Sequence, residues 1–347
     1  MPFGDILGQD RAVSRLRLAL SDGRLSQAYC FFGPPGVGKR TTALALAQAV
    51  NCLAGPARAP GAATADACGT CAACRKVAVG LHPDVTEVRP EGKTVITIDQ
   101  VREVTARAAL RAYEGKTKVF ILDPAELMQE PAANAILKTL EEPAGASLFI
   151  LVTAAPSALL PTILSRCQGV RFDPLGEGPL RAILVRHGRT PEAAAAAAAL
   201  AGGSAERALA LDVEESRATR DRIVQEVWDG LGSLVSVLER AEELARDRAR
   251  LEDALEILAS FSRDLAVAKV SGGDAPLVHA DRRAEVPRLA SGCSVGAILV
   301  MHEAQAEAQR ALARNANARF TAERMLLRMR QALEEGQEGG HGSRGAR

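Results

Sequence analysis

The stretch from residue 28 to residue 50 constrains the fold more than any other. A short apolar run, Ala28-Tyr29-Cys30-Phe31-Phe32, leads into Gly33-Pro34-Pro35-Gly36-Val37-Gly38-Lys39-Arg40-Thr41-Thr42, and an alanine-rich helical pattern follows over residues 43–50. A strand, a glycine-rich turn and a helix that opens with lysine let main-chain N–H groups cradle phosphates at a helix N-terminus. Gly33, Gly36 and Gly38 allow close approach of the backbone, and Lys39 supplies charge to the β and γ phosphates. The pattern G-x-x-x-x-G-K-[ST] then asks for a hydroxyl that holds Mg2+, and Arg40 stands there instead. Thr41 is no simple replacement, because one step along a helix turns a side chain by about 100°.

Length and composition bound the rest. The chain has 347 residues, enough for two or three domains. Aromatic residues make up only 3%, so the cores must be built from Ala, Leu, Val and Ile, a composition that favours helices. The formal charge of +1 argues against a strongly basic surface that grips a nucleic-acid duplex unaided. The opening Met1-Pro2-Phe3-Gly4-Asp5 does not read as a signal peptide, and no run has the length and bulk of a membrane span. The expectation is a soluble, cytoplasmic protein with no membrane partner.

Four of the seven cysteines cluster as Cys52, Cys68, Cys71 and Cys74, with spacing C-x15-C-x2-C-x2-C. In a reducing compartment such a cluster points to metal rather than disulfides. Tight C-x-x-C turns aim thiolates at one point, which suits tetrahedral Zn2+. Four thiolates leave no open coordination position, so the role expected is structural. Arg75 and Lys76 follow directly and are expected to offset the excess negative charge. His82 lies nearby in sequence, but its place in a His-Pro turn at a strand entrance is the more natural reading.

Further along, residues 82–88 alternate like a strand, and the β-branched run 94–98 reads as another, followed by Asp99 as the N-cap of a helix over 100–110. Lys118-Val119-Phe120-Ile121-Leu122-Asp123 is continuously apolar and ends in a carboxylate, as a buried parallel strand does when it delivers an acid to the ligand edge of a sheet. Asp123 would orient a metal ion or its water. Pro124 occupies the next place, where a water-activating carboxylate is wanted. Residues 134–143 read as a helix stopped by Pro143, residues 147–153 as a strand with the Thr153 hydroxyl at its carboxyl end, and 170–172 as a short last strand. Strands alternating with helices give a parallel α/β sheet. The helical pattern just before the first strand, opening at Gly8-Gln9-Asp10, is either a packing element or a helix that closes over an adenine.

Beyond residue 175 strand signals fade. Three short helices are expected over 180–187, 191–201 and 205–211, then a charge-dense helical pattern over 213–269, a loop at 271–274 and further helix to 333. Residues 334–347 carry the composition of a disordered tail.

These residues resemble the clamp-loader AAA+ proteins of bacterial DNA polymerase III, the delta-prime subunit and its ATPase relatives gamma and tau. The resemblance rests on Gly33 to Lys39, Cys52, Cys68, Cys71 and Cys74, the strand ending at Asp123, the run Asn134-Ala135-Ile136-Leu137-Lys138-Thr139-Leu140-Glu141-Glu142-Pro143, and Ser165-Arg166-Cys167. It extends into residues 314–330 and so covers nearly the whole chain. The family implies an AAA+ P-loop parallel-sheet domain over 1–174 with an inserted zinc module at about 52–76, a small helical lid over 175–212 and an all-α collar over 213–333. It implies a hetero-pentameric ring with gamma/tau and delta subunits that loads a sliding clamp on primer-template DNA. By the same resemblance Arg166 acts as an arginine finger at the neighbouring subunit's nucleotide, while Gly33, Gly36, Gly38, Lys39, Thr41, Asp123 and Thr153 line the chain's own nucleotide site for ATP and Mg2+.

The departures select the delta-prime side of the family. The ATPase subunits have a hydroxyl after the loop lysine and an Asp-Glu pair at the metal strand, where this chain has Arg40 and Pro124. At the second sensor position it has Glu206, with Arg207 one residue late. The reading is a subunit with weak or no ATPase of its own inside a nucleotidyltransferase holoenzyme. The alternatives are an active gamma/tau-type ATPase in which Thr41 and Glu126 deputise, and a zinc-dependent DNA-binding module on a vestigial nucleotide fold.

Overall fold

The computed structural model describes residues 1–347 apart from 56, 59–64, 93, 143–144, 272–276 and 339–347. Pro143 and most of the expected 271–274 loop therefore lie outside the described residues. The chain forms two compact units, Met1–Ala210 and Leu211–Arg347. No helix among the described residues is long and apolar enough to cross a membrane.

The first unit holds a five-stranded, all-parallel sheet built from β1 (Ala28–Phe32), β4 (Val85–Val88), β5 (Lys118–Leu122), β6 (Ser147–Thr153) and β7 (Gln168–Arg171), in the order β4-β5-β6-β1-β7. β5 and β6 are buried along their whole length, and β1 is buried over all but its last residue. Their continuous apolar runs follow from that, because helices cover both faces of a parallel sheet. Phe120 and Phe149, paired across β5 and β6, stack with ring centroids 5.2 Å apart. A two-stranded antiparallel ribbon, β2 (Ala57–Arg58) with β3 (Ala65–Asp66), leaves the sheet's own plan.

The helices of this unit are α1 (Asp10–Ser21), α2 (Lys39–Asn51), α3 (Ala72–Ala78), α4 (Ile98–Ala108), α5 (Glu130–Glu141), α6 (Pro161–Leu164), α7 (Glu177–Arg186), α8 (Pro191–Leu200) and α9 (Ala205–Ala210). Two expectations need correction. The β-branched run 94–98 makes only an isolated bridge, Ile96 to Met128, and its end is taken by α4. The cap of α4 is Thr97, not Asp99. The Thr97 hydroxyl accepts from Gln100 N while the Gln100 side chain accepts from Thr97 N, a capping box that satisfies two free N–H groups at once. The last strand also begins two residues earlier than expected and ends at Arg171.

Buried carboxylates and amides fix the loops. Asp84, only 3% exposed, accepts the N–H groups of Tyr113, Glu114 and Gly115 at 2.7–2.8 Å. Burial pushes its carboxyl up, but these three bonds, helped by His82, hold it below the usual carboxylate range. A folded-state pKa below the unfolded one gives stability that is present above the ordinary carboxylate pKa and is lost as pH falls through the depressed value. Asp84→Ala is expected to cost about 3 kcal/mol, since charge-assisted bonds to buried N–H groups are lost together. Urea unfolding at neutral pH checks this, and the deficit should shrink as the pH is lowered towards the acid transition.

Among the described residues the second unit holds helices and no strand: α10 (Val213–Gly230), α11 (Leu234–Ala245), α12 (Arg248–Ser271), α13 (Val286–Ser291), α14 (Val295–Ala313) and α15 (Ala318–Glu338). Its core is mostly Leu, Ile, Val, Ala and Met, with Phe261 and Cys293 buried among them and Trp228 packed against it. Buried Arg220 is held by Asp281 through two bonds of 2.9 and 2.6 Å and by Asp221 at 2.7 Å, so its charge is paired where it is desolvated. The expected tail from Glu334 is corrected over its first five residues, since α15 continues to Glu338; the remainder lies outside the described residues.

Candidate phosphate loop and cysteine cluster

The phosphate loop connects β1 to α2 at the carboxyl edge of the sheet. Gly33, Gly36 and Gly38 all have positive φ, at 148°, 71° and 97°. At Gly33 a Cβ would stand 2.1 Å from the Phe172 carbonyl oxygen, and at Gly36 it would stand 2.1 Å from Ser204 Oγ. Both positions therefore require glycine for space as well as for conformation. Gly36 O also accepts the Ala205 N–H at 2.8 Å, which fastens the start of α9 to the loop. Gln9, which precedes α1 and is 4% exposed, donates from Nε2 to Val37 O at 3.1 Å and to Asp173 O at 2.7 Å. Sequence reasoning missed this residue: a glutamine before a helix gives no sign of the carbonyls it will meet.

Lys39 is buried, and its Nζ donates to Gly33 O at 2.6 Å and Pro34 O at 2.5 Å. Burial pushes the ammonium pKa down, opposed by the negative charges of Glu126, Asp123 and Glu206. Thr42, not Thr41, has its hydroxyl bonded back to Gly38 O, at 2.9 Å, as helix threonines commonly do. Thr41 is partly exposed on the same first turn of α2.

Arg40 turns away along the sheet edge and grips Glu87, at the end of β4, with Nε to Oε2 at 2.7 Å and Nη2 to Oε1 at 3.1 Å. Arg89 continues the chain of charges, with Nη2 3.4 Å from Glu87 Oε2 and 3.6 Å from Asp123 Oδ2. Asp123 thus stands at the ligand edge as expected, but faces a guanidinium. Burial pushes its carboxyl up, while Arg89, Arg40 and Lys39 oppose that shift. Glu87 and Arg89 were missed as site residues, because only the strand order brings the end of β4 beside the end of β5.

These groups do not fit a divalent cation. A hard, six-coordinate ion such as Mg2+ wants free oxygen donors. Here the hydroxyl position is a cation, the metal-strand carboxylate faces a second cation, and proline follows it. Thr153 is 1% exposed, and its Oγ1 accepts the Ala155 N–H at 3.0 Å, so the hydroxyl caps the end of β6. Glu126 accepts the Ala154 N–H at 2.9 Å through one oxygen, and its other oxygen is buried without a hydrogen-bond partner.

Arg166 follows α6 on the exposed side of the unit. Its Nε donates to Glu141 Oε1 at 2.7 Å, its Nη2 pairs with the same carboxylate, and Nη1 donates to Thr162 O at 2.8 Å and Ser165 Oγ at 3.2 Å. The local carboxylate partner is therefore real, and it is an exposed one, with the two side chains 33% and 47% accessible.

The Sγ atoms of Cys52, Cys68, Cys71 and Cys74 lie within 4.8 Å of one another. A tetrahedral ion with bonds of about 2.3 Å spans edges of this order. Main-chain N–H groups of Cys71, Cys74 and Cys68 already point at the sulfurs of Cys68, Cys71 and Cys52, at 3.3, 3.4 and 3.5 Å. Bonds from Thr70 and Cys71 bring the Cys68 thiol down to about 6, whereas burial pushes Cys52 and Cys74 up. The cluster fits zinc, which these four residues would hold as a structural ion. Lys76 does not serve to offset its charge: Nζ pairs with Glu114 at 2.5 and 2.8 Å. His82 lies outside the cluster, with Nδ1 accepting the Asp84 N–H at 3.2 Å.

Known proteins decide the kinship. Residues 8–176 match the family model described as DNA polymerase III, delta subunit. The DNA polymerase III subunit delta' of Bacillus subtilis is 28% identical over 330 residues, which cover 93% of this chain and 96% of that protein. The relatives of this chain are thus DNA polymerase III delta' and gamma/tau subunits. The delta' subunit of Pseudomonas aeruginosa is 44% identical over 143 residues, covering 41% of this chain and 42% of its own length. Subunit gamma/tau of Mycobacterium tuberculosis is 35% identical over 184 residues, which cover 53% of this chain but only 31% of the relative. The chain thus spans about a third of the length of the gamma/tau relatives it matches.

Proposed function

We propose that this chain is a delta'-type subunit of the clamp loader, which helps to place a sliding clamp on primer-template DNA as part of a hetero-pentameric ring with gamma/tau and delta subunits. It acts there through an AAA+ unit whose own ATPase site is degenerate. The observation that supports this best is the contrast between two arginines. Arg40 has replaced the metal-binding hydroxyl and is spent on Glu87, whereas Arg166 sits on an exposed turn with a partner it can leave. A fixed guanidinium that can be supplied in trans is what a neighbouring ATP site needs.

In this reading α7, α8 and α9 form the lid, residues 213–333 form the collar, and zinc at Cys52, Cys68, Cys71 and Cys74 is structural. The competing reading, an active gamma/tau-type ATPase, needs Glu126 to activate water. Glu126 is held at the end of β6 by the Ala154 N–H on one oxygen, with the other oxygen buried. The purified chain alone is expected to turn over ATP at background rate, while its addition to gamma/tau and delta subunits should restore clamp loading on primed DNA. Coupled phosphate release and a clamp-loading assay read these two outcomes. Robust turnover by the isolated chain that Lys39→Ala abolishes would overturn the proposal.

A further inference from the structure

The charges beside the phosphate loop form one connected relay, and its geometry goes beyond the loss of a catalytic part. A lost hydroxyl would leave Asp123 and Glu87 as two carboxylates near the mouth of a loop built for anions. Two like charges in a partly desolvated place are costly unless a cation lies between them. The relay supplies that cation twice. Arg40 closes a two-pronged contact on Glu87, using the paired donors that match a carboxylate. Arg89 then stands between Glu87 and Asp123, its Nη2 3.4 Å from Glu87 Oε2, the oxygen that Arg40 Nε also holds, and 3.6 Å from Asp123 Oδ2.

The placement explains why arginine suits both positions. Arg40 is the second residue of α2 and has to reach from the first turn of that helix to the end of β4, two strands beyond the loop's neighbour β6. Arg89 directly follows β4 and has to reach across to the end of β5. A planar fork can contact two oxygens without moving, whereas an ammonium is a point charge that would serve one at a time.

We infer that Arg40 and Arg89 are a protein-borne substitute for the divalent cation, which they exclude by neutralising Glu87 and Asp123 from within. This deepens the degenerate-site reading above and rests on it, but not on the role of Arg166. The phosphate loop would then keep its shape without metal, held by Lys39 on Gly33 O and Pro34 O and by Ala205 N on Gly36 O.

Mn2+ is the probe, followed by the fall in its free EPR signal on titration into the zinc-loaded protein. The parent chain should show no saturable Mn2+ binding that depends on Asp123. The double variant Arg40→Thr/Arg89→Ala, which restores the hydroxyl and frees both carboxylates, should gain a saturable site, with affinity at least about tenfold above the parent's background. Adding Asp123→Asn should remove it. Arg40→Thr alone, an exposed change at a helix start that leaves Arg89 in place, guards against misfolding of the double variant and should gain part of the affinity. Parent protein with saturable Mn2+ binding that Asp123→Asn abolishes overturns the inference. So does a folded double variant, judged by circular dichroism, that binds no more Mn2+ than the parent. Either result leaves the proposed action of Arg166 on a neighbour standing, because that is read from ATP turnover in the assembled ring.

Discussion

Arg166→Ala is expected to leave the isolated chain as stable as the parent and to lower ATP turnover at the neighbouring site of the assembled ring by about 10³-fold, the scale of an arginine finger. The first half follows from exposure. The Arg166–Glu141 pair is solvent-screened on both sides, and such pairs contribute roughly 0–1 kcal/mol. Removing it should shift the urea midpoint little. The second half follows from the same fact seen from the partner's side. A guanidinium that gives up so little on leaving Glu141 can transfer to a phosphate, a stronger, doubly bonded acceptor in a drier place. Arg166→Lys should keep the charge but lose the fork, and recover only a small part of the activity. Single-turnover ATP hydrolysis in the reconstituted complex measures the effect, with gel filtration to verify that the ring still assembles. Unchanged turnover in an intact ring would remove Arg166 from the mechanism, and loss of assembly would recast it as an interface residue.

The parts of the fold most legible in the sequence are those dictated by a single element. β5 and β6 announced themselves as unbroken apolar runs because a strand covered on both faces has no polar side to alternate with. The loop from Gly33 to Lys39 was readable for the same reason: its glycines answer to local φ values and to close neighbours. The misread places involve competition between elements. The run 94–98 has strand composition, yet Thr97 with Gln100 offers a capping box, and α4 takes the end of the run. The tail at 334 reads as charged and glycine-rich, yet a helix already begun extends for one residue at little cost, and α15 continues through Gly336 to Glu338.

The candidate sites divide along the same line. The four cysteines were legible because ligand spacing is written in the chain. Lys76 was misassigned because its partner, Glu114, comes from a loop that Asp84 folds back over the end of α3. Arg40 was noticed as a departure, but not as a contact. Its meaning depends on Glu87 and Arg89, which reach Asp123 only through the strand order β4-β5-β6-β1-β7. No local pattern carries that information. The absence of the expected hydroxyl was visible in the sequence; the relay that makes the absence stable was not.

Removing the metal from the cysteine cluster should be the most damaging single change to the first unit. Without an ion, Cys68 and Cys74 are left with their sulfurs 4.0 Å apart among two further thiols, and burial of Cys74 and Cys52 disfavours the thiolates that a dication would stabilise. The module is also tied into the rest of the unit at several points. Gln48 of α2 donates to Cys74 O at 2.8 Å and accepts from the N-terminal amino group at 2.9 Å. Asp66, beside the cluster, accepts the N–H groups of Phe3 and Gly4 at 2.9 Å and pairs with Arg17 of α1 at 2.6 Å. Collapse of the cluster therefore loosens the N-terminus, α1 and the far end of the helix that begins at Lys39. Cys74→Ser, or zinc stripping with a strong chelator, should lower the melting temperature by about 10 °C, equivalent to several kcal/mol for a unit of this size. Stripping should become easier as pH falls, because each proton competes with the ion for a thiolate. Metal analysis should find one zinc per chain, absent from Cys74→Ser, and hydrogen exchange should localise the lost protection to α3, α1 and the end of α2. A metal-free parent that melts at the same temperature would reduce the cluster to four packed thiols and leave Asp66 and Gln48 to hold the module alone.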